Sequence, residues 1–398
     1  MADHALRGPG QLAAPPSLSL YIHLPWCVQK CPYCDFNSHA LRDELPEAAY
    51  IDALLLDLEL ALPQIWGRPV ETVFFGGGTP SLFSPDGIDR LLSAVRARVR
   101  LAPAAEITLE ANPGTLEADR FAAFRAAGIT RLSLGIQSFD DRQLRALGRI
   151  HDARQAQRAA ELAARHFETY NLDLMYALPG QGLDDLRRDL DTALGCTPPH
   201  LSYYHLTLEP NTPFGHTPPP NLPNDDLAAD MQEFIEARTA EAGLAHYETS
   251  AYAQPGHRCL HNLNYWRFGD YLGIGAGAHS KLSLATGIVR EARVRHPRQY
   301  LDALLHPRTP GSEPRDHVAE RRLVRPGELP FEFMMNALRL TEGVEAALFS
   351  DRTGLPPSAL GARLTRARAQ GLLRENTQRI QASALGARFL NDLLQMFL

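Results

Sequence analysis

The sequence contains no long apolar run. None of its segments approaches the ~18–20 consecutive apolar residues that a membrane-spanning helix needs. The first residues, "MADHALRGPGQLAAPPSLSL", lack the apolar core of a signal peptide. We therefore expect neither a transmembrane segment nor a secretory leader, and we expect a cytoplasmic protein whose membrane contacts are at most peripheral.

An excess of basic residues is also missing. The chain has 40 Lys and Arg against 46 Asp and Glu, which gives a net charge of −6. Without a broad positive field, nucleic acid is not favoured as a partner. The 398 residues, of which 44% are hydrophobic and 22% charged, are ordinary for a globular protein of two or three domains.

Cysteine is scarce, and its few copies are unevenly placed. Three of the five cysteines, Cys27, Cys31 and Cys34, lie within "CVQKCPYC", whereas Cys196 and Cys259 are isolated. In a reducing cytoplasm such a cluster indicates a metal or redox site rather than a disulfide framework.

Two metal sites fit this spacing. A structural zinc site closes four ligands. The chain offers no second CxxC, although His23 or His39 could complete a Cys3His set. A 4Fe–4S cluster held by three cysteines instead leaves one iron open to a small chelating ligand. Phe36, two residues after Cys34, supplies no fourth thiolate, so the open iron is the favoured interpretation.

Strand-like and helix-like segments alternate over the first half of the chain. The candidate strands are "LSLYIHL", "TVFFGG", "EITLEA", "RLSLGIQS", "YNLDLMYAL" and "HLSYYHLTLE", with helical patterns such as "YIDALLLDLELAL" between them. Six such units predict an α/β fold with a mostly parallel sheet, in the form of a partial (β/α)6 barrel with a side opening.

The composition divides the chain into four regions. We expect a disordered tail over 1–16, the partial barrel over 17–210, a mixed accessory region over 211–325, and a helical, winged-helix-like domain over 326–398. Proline-rich connectors separate the last three. Polar residues follow the predicted strands where α/β sites are built: the "GGGTP" segment, Glu110 with Asn112, Gln137 with Ser138, Asp173, and Glu209.

Several motifs together resemble a known family. "CVQKCPYC" followed by "FFGGGTPSL" resembles the radical S-adenosylmethionine (SAM) proteins. "EANPGTLEADR", "GIQSFDDRQLRALGR", "NLDLMYALPGQ" and "HNLNYWRFGDYLGIGAGAHSK" extend the resemblance to the HemW heme chaperones, which are relatives of the oxygen-independent coproporphyrinogen III dehydrogenases. The resemblance runs from about Ser17 to the C-terminus.

The resemblance implies a set of cofactor-binding residues. Cys27, Cys31 and Cys34 would bind the cluster, whose open iron SAM would chelate. The residues implied for SAM are Tyr21, Tyr33, Gly78, Thr79, Glu110, Gln137, Arg149 and Asp173. Gly76 to Gly78 let the backbone approach a ligand that a Cβ would block. Tyr204 and His279 match an outer region in which the dehydrogenases hold a second SAM.

The segment "CLHNLNYW" carries the heme prediction. In HemW-like proteins its HNxxYW motif is associated with heme, which implies that His261 binds heme, with Cys259 as a weaker candidate. On the residues alone, a turn with a satisfied histidine and core aromatic residues is the favoured explanation of the segment. "GIGAGA" lacks the full dinucleotide fingerprint, so we expect close backbone packing that lines the same cavity.

Three functions are compatible with these features. The favoured one is a heme chaperone that binds heme and passes it to acceptor proteins, among them membrane-bound respiratory enzymes. The alternative is an oxygen-independent coproporphyrinogen III dehydrogenase, from which the chain departs at Phe36, where those enzymes have a fourth cysteine. A zinc-bearing winged-helix regulator is the third. Whether SAM is cleaved, and whether the chain is a monomer or a dimer, stays open.

Overall fold

A computed structural model describes residues 12–115, 118–306 and 316–398. Most of the predicted disordered tail, 1–16, and part of the second connector lie outside the described residues. Within them, no helix combines the length and the hydropathy needed to cross a bilayer. Twelve of the described strands form one sheet.

The strands of this sheet are numbered in chain order. They are β1 Leu18–Leu24, β2 Pro69–Gly77, β3 Arg100–Ala111, β4 Arg131–Gln137, β5 Thr169–Tyr176, β6 His200–His205, β7 Ala245–Glu248, β8 Ala251–Ala253, β9 Asp270–Ile274, β10 His279–Leu284, β11 Gly287–Arg293 and β12 Val318–Leu323. Their spatial order is β12-β11-β10-β9-β1-β2-β3-β4-β5-β6-β8-β7.

The helices of the described residues lie between these strands and at the C-terminus. They are α1 Glu47–Ile65, α2 Pro85–Arg98, α3 Ala118–Ala126, α4 Asp141–Ala146, α5 Ala153–His166, α6 Leu183–Gly195, α7 Pro213–His216, α8 Asp225–Glu241, α9 Leu260–Trp266, α10 Pro297–Leu305, α11 Leu329–Ala337, α12 Ala347–Thr353, α13 Ser358–Ala369, α14 Ala384–Arg388 and α15 Leu390–Gln395.

Strands β1 to β6 form the parallel part of the sheet, as the sequence predicts. Neighbouring members pair in parallel, and β9 also pairs in parallel with β1. Residues alternate along each strand: Leu20 and Ile22 of β1 are buried in the main hydrophobic cluster with the helices, whereas Tyr21 lies on the opposite face of the strand. This alternation leaves the other face of the six strands free to surround a site.

The six strands do not close on each other. In the sheet order β1 lies next to β9 and β6 next to β8, so β1 and β6 are not neighbours. All six strands nevertheless contribute side chains to one cavity, which requires the sheet to curve around it. The predicted α/β fold with a partial six-stranded barrel is therefore confirmed.

The remaining strands, all from residues 245–323, extend the same sheet at both edges. A second hydrophobic cluster joins this region to the C-terminal helices, with Leu263 and Phe268 packed together with Phe333 and Phe349. Near the C-terminus, α13 is followed by an antiparallel bridge between Leu373 and Ala382 and then by α14. This order of helix, hairpin and helix agrees with the pattern in the sequence.

Candidate functional site

The barrel encloses a cavity with a volume of ≈ 780 Å³, within the range of roughly 300–1,000 Å³ that is common for ligand sites. The residues that the sequence assigns to the cluster, to the SAM at its open iron and to heme through His261 all line it: Tyr21, Cys27, Cys31, Tyr33, Cys34, Gly78, Thr79, Glu110, Gln137, Arg149, Asp173 and His261. The fold thus brings together residues that lie more than two hundred positions apart.

The three clustered cysteines lie in the loop that follows β1. Trp26–Cys27 pairs with His39–Ala40, and the amide of Leu41 donates to the carbonyl oxygen of Cys27 at 2.8 Å, which closes the base of the loop. The cysteines are partly buried free thiols. Burial raises the pKa of Cys27 and of Cys34, so both carry protons in the ligand-free chain.

The surroundings of the thiols suit thiolate ligands. Arg149 lies with Nη1 3.5 Å from the sulfur of Cys31 and donates through Nη2 to the carbonyl oxygen of Gly135 at 2.7 Å. The guanidinium thus offers a hydrogen-bond donor to this sulfur. Among the described residues, no three His, Cys, Asp or Glu side chains form a ready site for a single metal ion.

The glycine segment at the end of β2 packs directly against the cysteine loop. The amide of Gly78 donates to the carbonyl oxygen of Leu24 at 2.9 Å, and that of Thr79 to the carbonyl oxygen of Trp26 at 2.7 Å. A Cβ on Gly78 would lie 2.5 Å from the carbonyl oxygen of Trp26. Glycine is therefore needed at this position for contact between two backbones, in addition to any approach to a ligand.

Two partly buried carboxyl groups, those of Glu110 and Asp173, line the cavity. Glu110 accepts a hydrogen bond from the amide of Gly77 at 3.1 Å. Burial, followed by the charge of Asp173, raises the pKa of Glu110 to about 7. Burial also raises the pKa of Asp173, although Ser133 and Asn171 each donate to it at 2.8 Å. Both groups gain from a ligand that donates hydrogen bonds or carries positive charge.

Gln137 ends β4 in an unusual backbone conformation. Its φ is +69°, and the register between β4 and β5 shifts between Gly135 and Gln137. An irregularity of this kind re-aims a side chain at the end of a strand, and Gln137 lines the cavity. The sequence predicts Gln137 as a site residue but gives no sign of this distortion.

His261 lies on α9 and is 1% exposed. Its Nδ1 lies 2.7 Å from the hydroxyl of Thr72, and its Nε2 lies 3.1 Å from the hydroxyl of Tyr265. The Thr72 hydroxyl donates to Ser19, so it accepts from Nδ1, and Nε2 then accepts from Tyr265. Burial lowers the pKa of His261 to about 3. The imidazole is therefore neutral, with the lone pair of Nε2 occupied by a tyrosine hydroxyl.

Cys259, the weaker heme candidate, also lines the cavity. It precedes α9 and its sulfur lies 3.7 Å from Oε1 of Glu106. Burial, followed by the charge of Glu106, raises the pKa of Cys259 to about 12. The side chain is therefore a protonated thiol.

The structure contradicts two expectations about which residues line the barrel cavity, one for His279 and one for the "GIGAGA" glycines. His279 does not line this cavity but a second one, together with Arg290 and Glu332, whereas Tyr204 does line the barrel cavity. The "GIGAGA" glycines pack closely, as expected: a Cβ on Gly275 would lie 2.5 Å from the carbonyl oxygen of His23. Contrary to the expectation, these glycines are not among the residues that line the barrel cavity.

The sequence interpretation also missed the deeper half of the cavity. Arg131, Asn171 and His200 line it, although they lie at or near the starts of their strands rather than at the ends. The signal was present in "RLSLGIQS" and "HLSYYHL", where polar side chains alternate with leucines. That alternation indicates a polar inner face along the whole strand.

Comparison with known proteins agrees with this geometry. Residues 21–193 match the radical SAM superfamily, and residues 324–389 match the HemN C-terminal domain. In overall fold the chain is similar to coproporphyrinogen III oxidase (HemN) from Escherichia coli, with a TM-score of 0.80 over 96% of this chain and 90% of that one. Their sequences are 22% identical, so this likeness concerns the fold.

Similarity in sequence is greater to two bacterial proteins. The chain is 49% identical over 385 residues to the heme chaperone HemW of Escherichia coli (strain K12), covering 96% of this chain and 98% of that protein. It is 48% identical over 389 residues to the heme chaperone HemW of Haemophilus influenzae, with the same coverage of 96% and 98%. The chain therefore belongs to the HemW heme chaperone family, whose radical SAM domain implies a 4Fe–4S cluster and SAM as cofactors.

Proposed function

We propose that this protein is a heme chaperone that binds heme beside a SAM-coordinated 4Fe–4S cluster and passes the heme to acceptor proteins. One observation carries the proposal: a single cavity has the three clustered thiols at one end and the HNxxYW helix, α9, along its wall. Full-length similarity to proteins named heme chaperones supports it.

The donor set fits an iron–sulfur cluster. Cys27, Cys31 and Cys34 are thiols on one loop, and thiolates are the ligands that such clusters use. A 4Fe–4S cluster held there would supply an open iron for the amino and carboxylate groups of SAM. Arg149 would stabilise the thiolate of Cys31, and the raised pKa of Cys27 and Cys34 means that loading releases their protons.

The residues beyond the cysteine loop would hold SAM. Glu110 and Asp173 would accept hydrogen bonds from its amino group or its ribose hydroxyls, and Gln137 would supply an amide. Tyr21, Tyr33, Gly78 and Thr79 would form the walls around it. Because burial and the charge of Asp173 raise the pKa of Glu110, a ligand with positive charge would be bound preferentially.

The wall formed by α9 suits a flat aromatic ligand. The ring of Tyr21 stacks on Phe74 with centroids 6.2 Å apart, Phe74 lies 4.9 Å from the ring of His261, and His261 lies 5.0 Å from Tyr265. Such rings offer apolar faces to a porphyrin. We propose His261 as an axial ligand through Nε2, which requires that the hydroxyl of Tyr265 moves away.

The physiological setting is part of the proposal. We propose a cytoplasmic location, because the thiols must stay reduced to bind iron. We propose respiratory membrane proteins as the acceptors of the heme.

We also propose that the chain divides at 210 and 325 into a barrel, an accessory region and a C-terminal domain. On this division the C-terminal domain supports α9 through the second hydrophobic cluster.

A titration of the reconstituted protein tests the proposal. After anaerobic loading we expect about four irons per chain and a broad absorption near ~400 nm. Addition of heme should then give a saturable Soret shift, and the bound heme should move to an added apo-acceptor. Incubation with coproporphyrinogen III, SAM and a reductant should leave the tetrapyrrole unchanged. Formation of protoporphyrinogen would identify a dehydrogenase instead, and absence of saturable heme binding would refute the chaperone role.

A further inference from the structure

The inner half of the cavity is not used by the residues proposed for SAM. Along β4, β5 and β6 the inward side chains form rows, and Ser133, Asn171 and His200 share one register. Arg131 lies one row deeper, at the start of β4. With a rise of about 3.3 Å per residue, it lies roughly 20 Å along the strand from Gln137 at the other end. The cavity therefore extends well beyond the cysteine loop.

Two of the three guanidinium nitrogens of Arg131 lack a hydrogen-bond partner among the described residues. Arg131 is 2% exposed, and its Nε and Nη2 make no hydrogen bond to any described residue. The carboxylate of Glu106 is 4.0 Å from Nε, which is too far for a hydrogen bond. Glu106 instead accepts from the amides of Leu260 at 3.2 Å and His261 at 3.0 Å. Buried guanidinium donors without partners are costly, so the position suits an external acceptor.

The neighbouring polar groups are already committed to one another. Asn171 donates to Ser133 and to Asp173, at 2.8 Å each. His200 contacts the Asn171 side-chain oxygen at 2.6 Å and the Tyr247 hydroxyl at 2.8 Å. Arg131, one row deeper, keeps Nε and Nη2 without hydrogen-bond partners among the described residues, and an acceptor with negative charge would suit them best.

Arg339 lines the same cavity, as a third guanidinium besides Arg131 and Arg149. Arg339 stacks over the ring of Trp266 on α9, with its Cζ 4.3 Å from the ring centroid, and it pairs with Glu248 at 3.3 Å. Its Nε is buried without a partner among the described residues. Arg131 and Arg339, in addition to Arg149 at the cysteine loop, favour a ligand with more than one acidic group.

We propose that Arg131 forms a carboxylate-binding subsite at the inner end of the cavity and that it receives a propionate of the porphyrin. The inference rests on the proposed function, because it takes a porphyrin as the second ligand. The planar fork of a guanidinium matches a carboxylate with two parallel hydrogen bonds. SAM is a poor candidate for this subsite, since its single carboxylate is needed at the open iron near the cysteine loop.

The test compares heme with heme dimethyl ester, in which both propionates are blocked. The reconstituted full chain should bind heme more tightly than the diester, by on the order of tenfold or more, as expected for hydrogen bonds to a charged group. Arg131→Gln should reduce heme affinity to the level of the diester and leave diester affinity unchanged. Arg131→Lys keeps the positive charge but loses the two parallel donors of the guanidinium. Its heme affinity should lie between that of the unaltered chain and that of Arg131→Gln.

The controls separate this inference from its premise. Arg120→Gln removes a half-buried arginine outside the cavity, which donates to the carbonyl oxygens of Ser81 and Phe83, and should keep the preference for heme. Iron content and SAM binding check that each variant is folded. Equal binding of heme and diester by the unaltered chain, or a preference that survives in Arg131→Gln, overturns the subsite. Failure of the unaltered chain to bind either porphyrin overturns the proposed function itself.

Discussion

At the scale of single residues, the site depends on ionisable groups held away from water. Glu110 is the clearest case, because burial and the charge of Asp173 raise its pKa to about 7. The amide of Gly77 donates a hydrogen bond to Glu110. The phenol of Tyr21 also interacts with it: burial, followed by the charge of Glu110, raises the pKa of Tyr21. The protonation state of Glu110 therefore changes within the neutral pH range.

This titration predicts a pH dependence of SAM binding. If the ionised form of Glu110 accepts hydrogen bonds from SAM, binding is strong above pH ~7 and weakens up to about tenfold per pH unit below it, since each binding event must remove a proton. Calorimetric titration at pH 6, 7 and 8 measures the slope. The Glu110→Gln variant should bind SAM weakly at all three pH values. Glu59→Gln, at an exposed pair with Arg98, should keep the slope. A flat profile for the unaltered chain would remove Glu110 from the SAM site.

A second residue-scale prediction concerns the occupied lone pair of His261. Tyr265→Phe removes the hydroxyl that lies 3.1 Å from Nε2, so heme should bind several-fold more tightly if this nitrogen ligates the iron. His261→Ala should abolish the same Soret shift. His306→Ala, at an exposed histidine next to Asp302, is the control. If neither change on α9 alters the spectrum, the histidine is structural and another group ligates heme.

At the scale of elements, the glycine segment and the cysteine loop form one unit. Gly78→Ala places a Cβ 2.5 Å from the carbonyl oxygen of Trp26 and 2.8 Å from the carbonyl carbon of Pro25. Neither is a side chain that can turn away. We expect the two segments to separate, with loss of most of the iron and of SAM binding, as measured by iron analysis and calorimetry after reconstitution.

Gly195→Ala is the matched control for this change. Gly195 ends α6, and a Cβ there meets nothing within 4 Å, so iron content should stay at the level of the unaltered chain. Full iron loading of Gly78→Ala would show that the contact between the two backbones is dispensable.

The elements also explain how far the sequence could predict the structure. All six barrel strands were predictable, because apolar runs such as "TVFFGG" end in glycine or polar residues. The strands of the accessory region were not, since Ala251–Ala253 is three residues long and owes its place to pairing with β6. Arg131 was missed because its burial depends on the curvature of the sheet, which a local pattern does not contain.

At the scale of the whole molecule, the C-terminal domain and the barrel cavity are joined through α9. Phe268 lies two residues after the end of this helix and packs edge-on against Phe333 of α11, with ring centroids 5.7 Å apart. Phe333 in turn contacts Phe349 of α12 at 5.3 Å. The C-terminal domain therefore holds one wall of the cavity without contributing a ligand at the cysteine loop.

Removal of this support should loosen the heme wall while sparing the cluster. Phe333→Ala deletes a side chain that is 0% exposed and should cost about 3–5 kcal/mol of folding free energy. We expect faster hydrogen exchange of the amides in 260–268 and weaker heme binding, with iron content unchanged. Phe121→Ala, which removes an equally buried ring beside the barrel, should cost similar stability without selective exchange at α9. A direct contact between Phe333 and the segment after α9 should make the faster exchange local to that helix. Equal exchange at α9 in the two variants would therefore mean that the C-terminal domain stabilises the whole fold rather than this wall.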